Sequence, residues 1–238
     1  MEIGRRLGGL GASARSAVAA SGSWMVARMS AYPGPVAVPV GEPWEFSVGA
    51  LIARHPRVPK ALAKPLGALD GLGSVRIGPE GLGFDGEDDV PWEKIVHIRL
   101  HNGVTAVAAH SIEAESERLR ALLPPLPGRR WALGKIAGGL KTLVAKLRER
   151  SARRRDENGS EENGSEENGS EENGPDVACE FVTRGLLGRE RTVRACMYTT
   201  AFLALRPDVS NALVETARAA GVPVLGSYGT EEMAGGTP

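Results

Sequence analysis

The chain has 238 residues, 42% apolar and 5% aromatic, with 29 basic and 29 acidic side chains and no formal net charge. This length allows one or two domains around a sizeable core, and the composition excludes collagen-like, fully disordered and disulfide-rich classes. Zero net charge argues against a surface that coats nucleic acid throughout, but a total can hide local blocks.

Residues 1–30 carry Arg5, Arg6, Arg15 and Arg28 against one acid, Glu2. Their middle is too weakly apolar for a signal peptide. The segment reads as a disordered leader or as a start taken too early, with Met25 and Met29 near its end. A weak membrane or export segment is the competing reading. The longest apolar runs, near Ser16–Ala27 and Ala195–Leu205, fall short of the about 20 residues that a membrane span needs.

Residues 31–43 are proline-rich. Trp44–Arg54 is expected as a helix, because Pro43 suits a first helical position and Trp44, Val48, Leu51, Ile52 and His55 recur at helical spacing. Ser74–His101 carries the clearest β signal. Val75 and Ile77 alternate with polar neighbours, Pro79-Glu80-Gly81 turns the chain, and Leu82 and Phe84 alternate next. An acidic turn, Asp85–Asp89, leads to Val90, Trp92 and a strand from Ile95 to His101. Val104–Ala109 is expected as a further strand.

Ser111–Leu123 is expected as a helix, with Glu113 and Glu115 early and Arg118 and Arg120 late, as the helix dipole favours. Residues 128–155 predict an amphipathic helix striped by Leu133, Ile136, Leu140, Leu143, Val144 and Leu147. Its other faces hold ten bases against Glu149, a net of +9. Residues 156–176 then reverse the sign with a five-residue Glu-Asn-Gly-Ser-Glu repeat of net −9. With no apolar residue this segment cannot bury a core, and it predicts a disordered linker. Val177–Arg184 and Arg189–Met197 predict a hairpin, and Tyr198–Leu205 suits either strand or helix. Asp208 is expected to cap a helix that ends at Ala220, with Gly221 beyond it. Val222–Leu225 is a short strand candidate, and 227–238 reads as a flexible tail.

The run SVRIGPEGLGFDGEDDVPWEKIVHIRL resembles the meander of bacterial pleckstrin-homology-like (PH-like) domains. Its Val90, Pro91, Trp92 and Ile95 match the corner that sets the third strand there, with the Trp and Ile packed inward. The resemblance implies an α+β fold: an antiparallel β roll split by a helical insertion and the acidic linker, and closed by a C-terminal helix. Residues 31–127 and 177–226 would be its two parts; two small α+β domains flanking the linker are the alternative. PH-like domains are mostly binding modules, and fold does not fix function. The phosphoinositide binders usually carry cations between their first two strands, where the expected strands here leave Gly78-Pro79-Glu80-Gly81.

Catalytic signals are weak. His97 and His101 on a strand lie about 13 Å apart, too far to share an ion. With Arg99 they line one face, which reads as a polar face or a small anion-contacting patch. Asp85–Asp89 lacks the ligand ladder of a calcium loop and reads as a solvated turn. Cys179 and Cys196 have no CxxC spacing and read as reduced, buried thiols. No glycine motif has the context of a nucleotide-binding loop, and no nucleophile–base pairing stands out. No catalytic, cofactor or metal residue is therefore named. The sharpest feature is the basic helix. Its Arg129, Arg130, Lys135, Lys141, Lys146, Arg148 and Arg150 suit an anionic membrane surface or a protein partner. Nucleic acid is disfavoured, for want of interleaved aromatics. The expectation is a cytoplasmic, non-catalytic binding or scaffolding module, peripheral to the inner face of the membrane. The competing class is an enzyme of unrecognised type.

Overall fold

The computed structural model of the chain describes residues 23–34, 37–54, 67–110, 115, 117, 121, 138–139, 142–149, 152–153, 175–185 and 188–226. Residues 23–30 form helix α1. Strand β1 (Trp44–Ser47) runs directly into α2 (Val48–Ala53), and a 3-10 turn spans Gly67–Leu72. Strands β2 (Ser74–Ile77), β3 (Gly81–Phe84) and β4 (Val90–Pro91) follow. A second 3-10 turn, Trp92–Lys94, leads into β5 (Ile95–Asn102) and then α3 (Gly103–Ala108). Residues 142–149 are helical and form α4. The chain continues through β6 (Asp176–Arg184), β7 (Glu190–Arg194), α5 (Met197–Leu205), α6 (Pro207–Ala219) and β8 (Val224–Leu225).

These strands form two four-stranded sheets, which do not close into one barrel. The first has the order β1-β2-β3-β4, antiparallel throughout. The second has the order β7-β6-β5-β8, antiparallel apart from the parallel β5–β8 pair. The molecule is thus mixed α+β. β5 and β6 are direct neighbours although they flank residues 103–175 in the chain. Segments before and after the acidic repeat therefore share one sheet.

One core joins both sheets. Phe84 of β3 meets Phe181 of β6 at 5.3 Å between ring centroids. Phe46 of β1 stacks on Phe202 of α5 at 3.7 Å, and Tyr32 meets Phe46 edge-on at 5.2 Å. All nine α5 residues are buried, because the helix touches β2 of one sheet and β6 of the other. A helix apolar all round belongs in such an interior. Gly73 makes this approach possible: a Cβ there would stand 2.7 Å from Tyr198 Cβ.

Several local expectations shift. The helix expected over Trp44–Arg54 begins only at Val48. Its first four residues pair with β2, Phe46 opposite Val75, and Ser47 caps the helix by accepting the Ala50 N–H at 3.0 Å. β1 thus precedes the Pro79-Glu80 turn, which joins the second and third strands rather than the first two. The strand expected over Val104–Ala109 is helix α3, because Asn102 Oδ1 accepts the Val104 and Thr105 N–H groups and turns the chain. Tyr198–Leu205 is helical. The N-cap of α6 is Arg206, not Asp208; the Asp208 carboxylate instead holds Arg206 at 2.8 and 2.6 Å. Gly221 ends that helix at φ 79°. Met25, Val26 and Met29 of α1 are buried in the core, inside the range read as a leader. Of the helix expected over 111–123, residues 115, 117 and 121 are described and are helical. Residues 1–22, 156–174 and 227–238 lie outside the described residues.

Candidate functional site

Val90, Pro91, Trp92 and Ile95 sit at one corner. β4 is Val90–Pro91, Trp92 is buried in the turn that follows, and Ile95 opens β5. The Trp92 indole donates to Gly78 O at 2.9 Å, which ties the corner back to the β2–β3 turn.

The basic helix is described in part. Leu143 and Leu147 of α4 are buried in the shared core, and Gly139 lies against Met25. Lys146 and Arg148 are exposed. The described part of the stripe is therefore spent on the protein's own core, and the charges face outward. Arg129, Arg130, Lys135, Lys141 and Arg150 lie outside the described residues.

A second charged group spans the last sheet. Glu180 of β6 has a side chain only 3% exposed. Arg99 of β5 reaches its Oε1 at 3.1 Å, and Arg194 of β7 reaches its Oε2 at 2.5 Å. The register makes these three residues direct cross-strand partners. His101 Nε2 lies 3.6 Å from the same carboxylate. His97 Nε2 is buried with no hydrogen-bond partner in the described structure. His97, Arg99 and His101 thus lie on one strand as expected, but Arg99 is committed to a carboxylate. Two guanidiniums facing one carboxylate leave this rung cationic.

The acidic turn is more than solvated. Asp85 is buried at φ 55° and is followed by Gly86 at φ 74°. Positive φ at both central positions, with Glu87 N bonded to Phe84 O at 3.0 Å, defines a type I′ turn. The Asp85 carboxylate accepts the Cys196 N–H at 2.5 Å and the Thr199 hydroxyl at 2.7 Å. Beyond it, Asp89 pairs with Arg76 at 2.7 Å and Glu87 with Arg191 at 3.1 Å. Among the described residues no group of three His, Cys, Asp or Glu side chains is placed to hold a metal ion.

The thiols are poor nucleophiles. Burial, then the neighbouring Glu180 charge, pushes Cys179 up to about 12. Burial, then Asp85, also holds Cys196 well above its ordinary range, and its thiol donates to Leu72 O at 2.8 Å. The thiolate is the reactive form, so both groups are inert at neutral pH.

Glu180, Arg194 and the role of Asp85 escape sequence reading, because their partners lie on other strands or far along the chain. The expected hairpin placed Glu180 on a strand but did not show the two arginines that flank it. No protein family, curated protein or solved structure matches the chain. No helix among the described residues is long and apolar enough to cross a membrane.

Proposed function

We propose that the chain is a non-catalytic binding module on a PH-like plan, and that its basic helix 128–155 meets an anionic membrane surface. The plan is supported by strand order: four consecutive antiparallel strands in one sheet, three more in the second, then a late helix. On this plan residues 128–176 lie between its two parts, 31–127 and 177–226. β8 and α5 are additions to it.

The observation that carries the reading is the division of α4. Leu143 and Leu147 point into the core while Lys146 and Arg148 face solvent, within a segment of net +9. These two leucines do not enter the bilayer, so binding rests on charge. Each Lys or Arg near an anionic surface contributes about 1 kcal/mol, and salt screens it within roughly 10 Å at 0.1 M. The site is peripheral, at the cytoplasmic leaflet, where anionic lipids concentrate.

Flotation with vesicles tests it. The wild type rises with phosphatidylserine-containing vesicles at low salt, stays behind with neutral ones, and is released by 0.5 M salt. A variant with Lys135, Lys141 and Lys146 changed to Glu loses flotation and keeps its thermal transition. A wild type that never floats removes the membrane reading, and a pull-down for an acidic protein partner then decides the second one.

A further inference from the structure

β7 is an edge strand with one side unpaired among the described residues. Its neighbour is β6, and the register sets Glu190 opposite Arg184, Thr192 opposite Val182 and Arg194 opposite Glu180. Two bonds beyond the strand fix which backbone groups face inward. Gly185 N donates to Arg189 O at 2.9 Å, and Ala195 N to Cys179 O at 2.8 Å. Antiparallel pairing alternates, so the odd-numbered β7 residues turn their backbone toward β6. Glu190, Thr192 and Arg194 turn theirs outward. Their side chains are all exposed, on the face that carries Glu180.

The other edges are handled differently. β4 and β8 are two residues long. The outer side of β1 is approached by residues 31–34: the Tyr32 hydroxyl donates to Glu45 O at 3.2 Å and the Trp44 indole to Pro33 O at 3.1 Å. β7 is five residues long and has no such cover among the described residues. Open edges of this length invite a further strand.

The sequence of this edge is complementary to itself. An antiparallel copy centred on Thr192 sets Glu190 against Arg194 of the second copy, Thr192 against Thr192, and Arg194 against Glu190. This register also matches outward-facing backbone with outward-facing backbone. Opposite charges directly across a strand pair are favourable, as are Thr–Thr pairs. The charged rung extends as well. Arg99, Glu180 and Arg194 of one copy would meet Glu190 and Arg184 of the other, so five charges alternate in sign across the seam. A two-fold axis repeats the row in the opposite sense, as an isologous contact requires.

We propose that the chain self-associates through β7, a second copy adding its own β7 antiparallel about Thr192, so that the β7-β6-β5-β8 sheets of the two copies become one eight-stranded sheet. The contact is small and rests on six main-chain hydrogen bonds and two ion pairs, so the dimer is reversible and depends on concentration and salt.

Cross-linking reads the register directly. Thr192→Cys brings two thiols to the axis, at a Cα separation of about 5.5 Å that suits a disulfide. Glu190→Cys sets its two thiols about 14 Å apart along the strands. The native thiols are buried and do not compete. Mild oxidation of the full-length protein is expected to link Thr192→Cys at least tenfold faster than Glu190→Cys. Equal rates, or no link in either, overturn the proposal. Sedimentation equilibrium gives the second readout: the wild type shows a monomer–dimer equilibrium, and Glu190→Arg raises its dissociation constant about tenfold. A wild type that stays monomeric throughout the micromolar range also overturns it.

Discussion

Asp85 and Cys196 lie 111 residues apart, and one Asp85 carboxylate oxygen accepts the Cys196 backbone N–H at 2.5 Å. Cys196 is the N-cap of α5 and has no side-chain cap bond of its own. The carboxylate from the β3–β4 turn fills that role, and its second oxygen takes the Thr199 hydroxyl. Glu115 adds a further acceptor, 3.3 Å from Met197 N. Two carboxylates from distant segments thus meet the positive end of a fully buried helix, where no water can serve its N–H groups.

Asp85→Ala is therefore expected to cost about 2–3 kcal/mol, since it leaves buried donors unmet and places Ala at positive φ. Asp85→Asn keeps one carbonyl acceptor and tolerates the left-handed backbone, so it loses less. Urea unfolding of the two variants gives the order. Equal losses would mean that the carboxylate does not act as the cap.

The thiols yield a pH prediction. Cys179 and Cys196 both have folded values above the ordinary 9.0, by burial first. A raised value favours the protonated thiol in the fold. The sign follows: this stabilisation is complete below about pH 9 and is lost as pH climbs toward the folded values. Stability should fall across pH 9–12, and Cys179→Ser, Cys196→Ser or their combination should flatten that fall. Thiol reagents at pH 8 should find neither group in the native protein and both after denaturation.

Glu180 is predicted to matter more than either arginine that holds it. Removing the exposed Arg194 leaves the carboxylate with Arg99 and costs about 1 kcal/mol or less. Glu180→Ala loses both pairs together with the packing of a side chain only 3% exposed, while Arg99 and Arg194 stay in reach of solvent, and its expected cost is larger, about 1–2 kcal/mol. Thermal unfolding of Arg194→Ala, Arg99→Ala and Glu180→Ala compares them. An Arg194→Ala loss as large as that of Glu180→Ala would place the weight on the surface pair instead.

Periodicity located the central meander well. Alternation at Val75 and Ile77, at Leu82 and Phe84, and the Pro91-Trp92 corner describe local geometry, which a single stretch of chain decides. Reading failed where a long-range partner outweighs the local pattern. Trp44–Ser47 shares helical spacing with Val48 and Leu51, yet pairing with β2 makes it a strand. Val104–Ala109 carries the strand formers Val104, Thr105 and Val107, yet the Asn102 cap and the Gly103 N–H bonded to Pro175 O make it a helix. Tyr198–Leu205 shows no period because every side is buried. The candidate binding residues Lys146 and Arg148 were legible as a charge block, whereas the inward turn of Leu143 and Leu147 depends on the core they meet.

The shared second sheet makes the last prediction. β5 and β6 pair over most of their length, Ile98 opposite Phe181 and Arg99 opposite Glu180, and both contribute to one core. The repeat between residues 158 and 173 contributes no apolar side chain to that core. Cleaving the chain there breaks one covalent link and takes no apolar side chain from the core. Glu-specific proteolysis is therefore expected to nick the repeat first and to leave both fragments together on a sizing column under native conditions. They should separate only in denaturant, because parting them exposes the β5–β6 seam and faces of Ile98 and Phe181 that together hold about 3–5 kcal/mol of apolar burial. Fragments that part without denaturant would show that the halves fold independently and that the seam is weak.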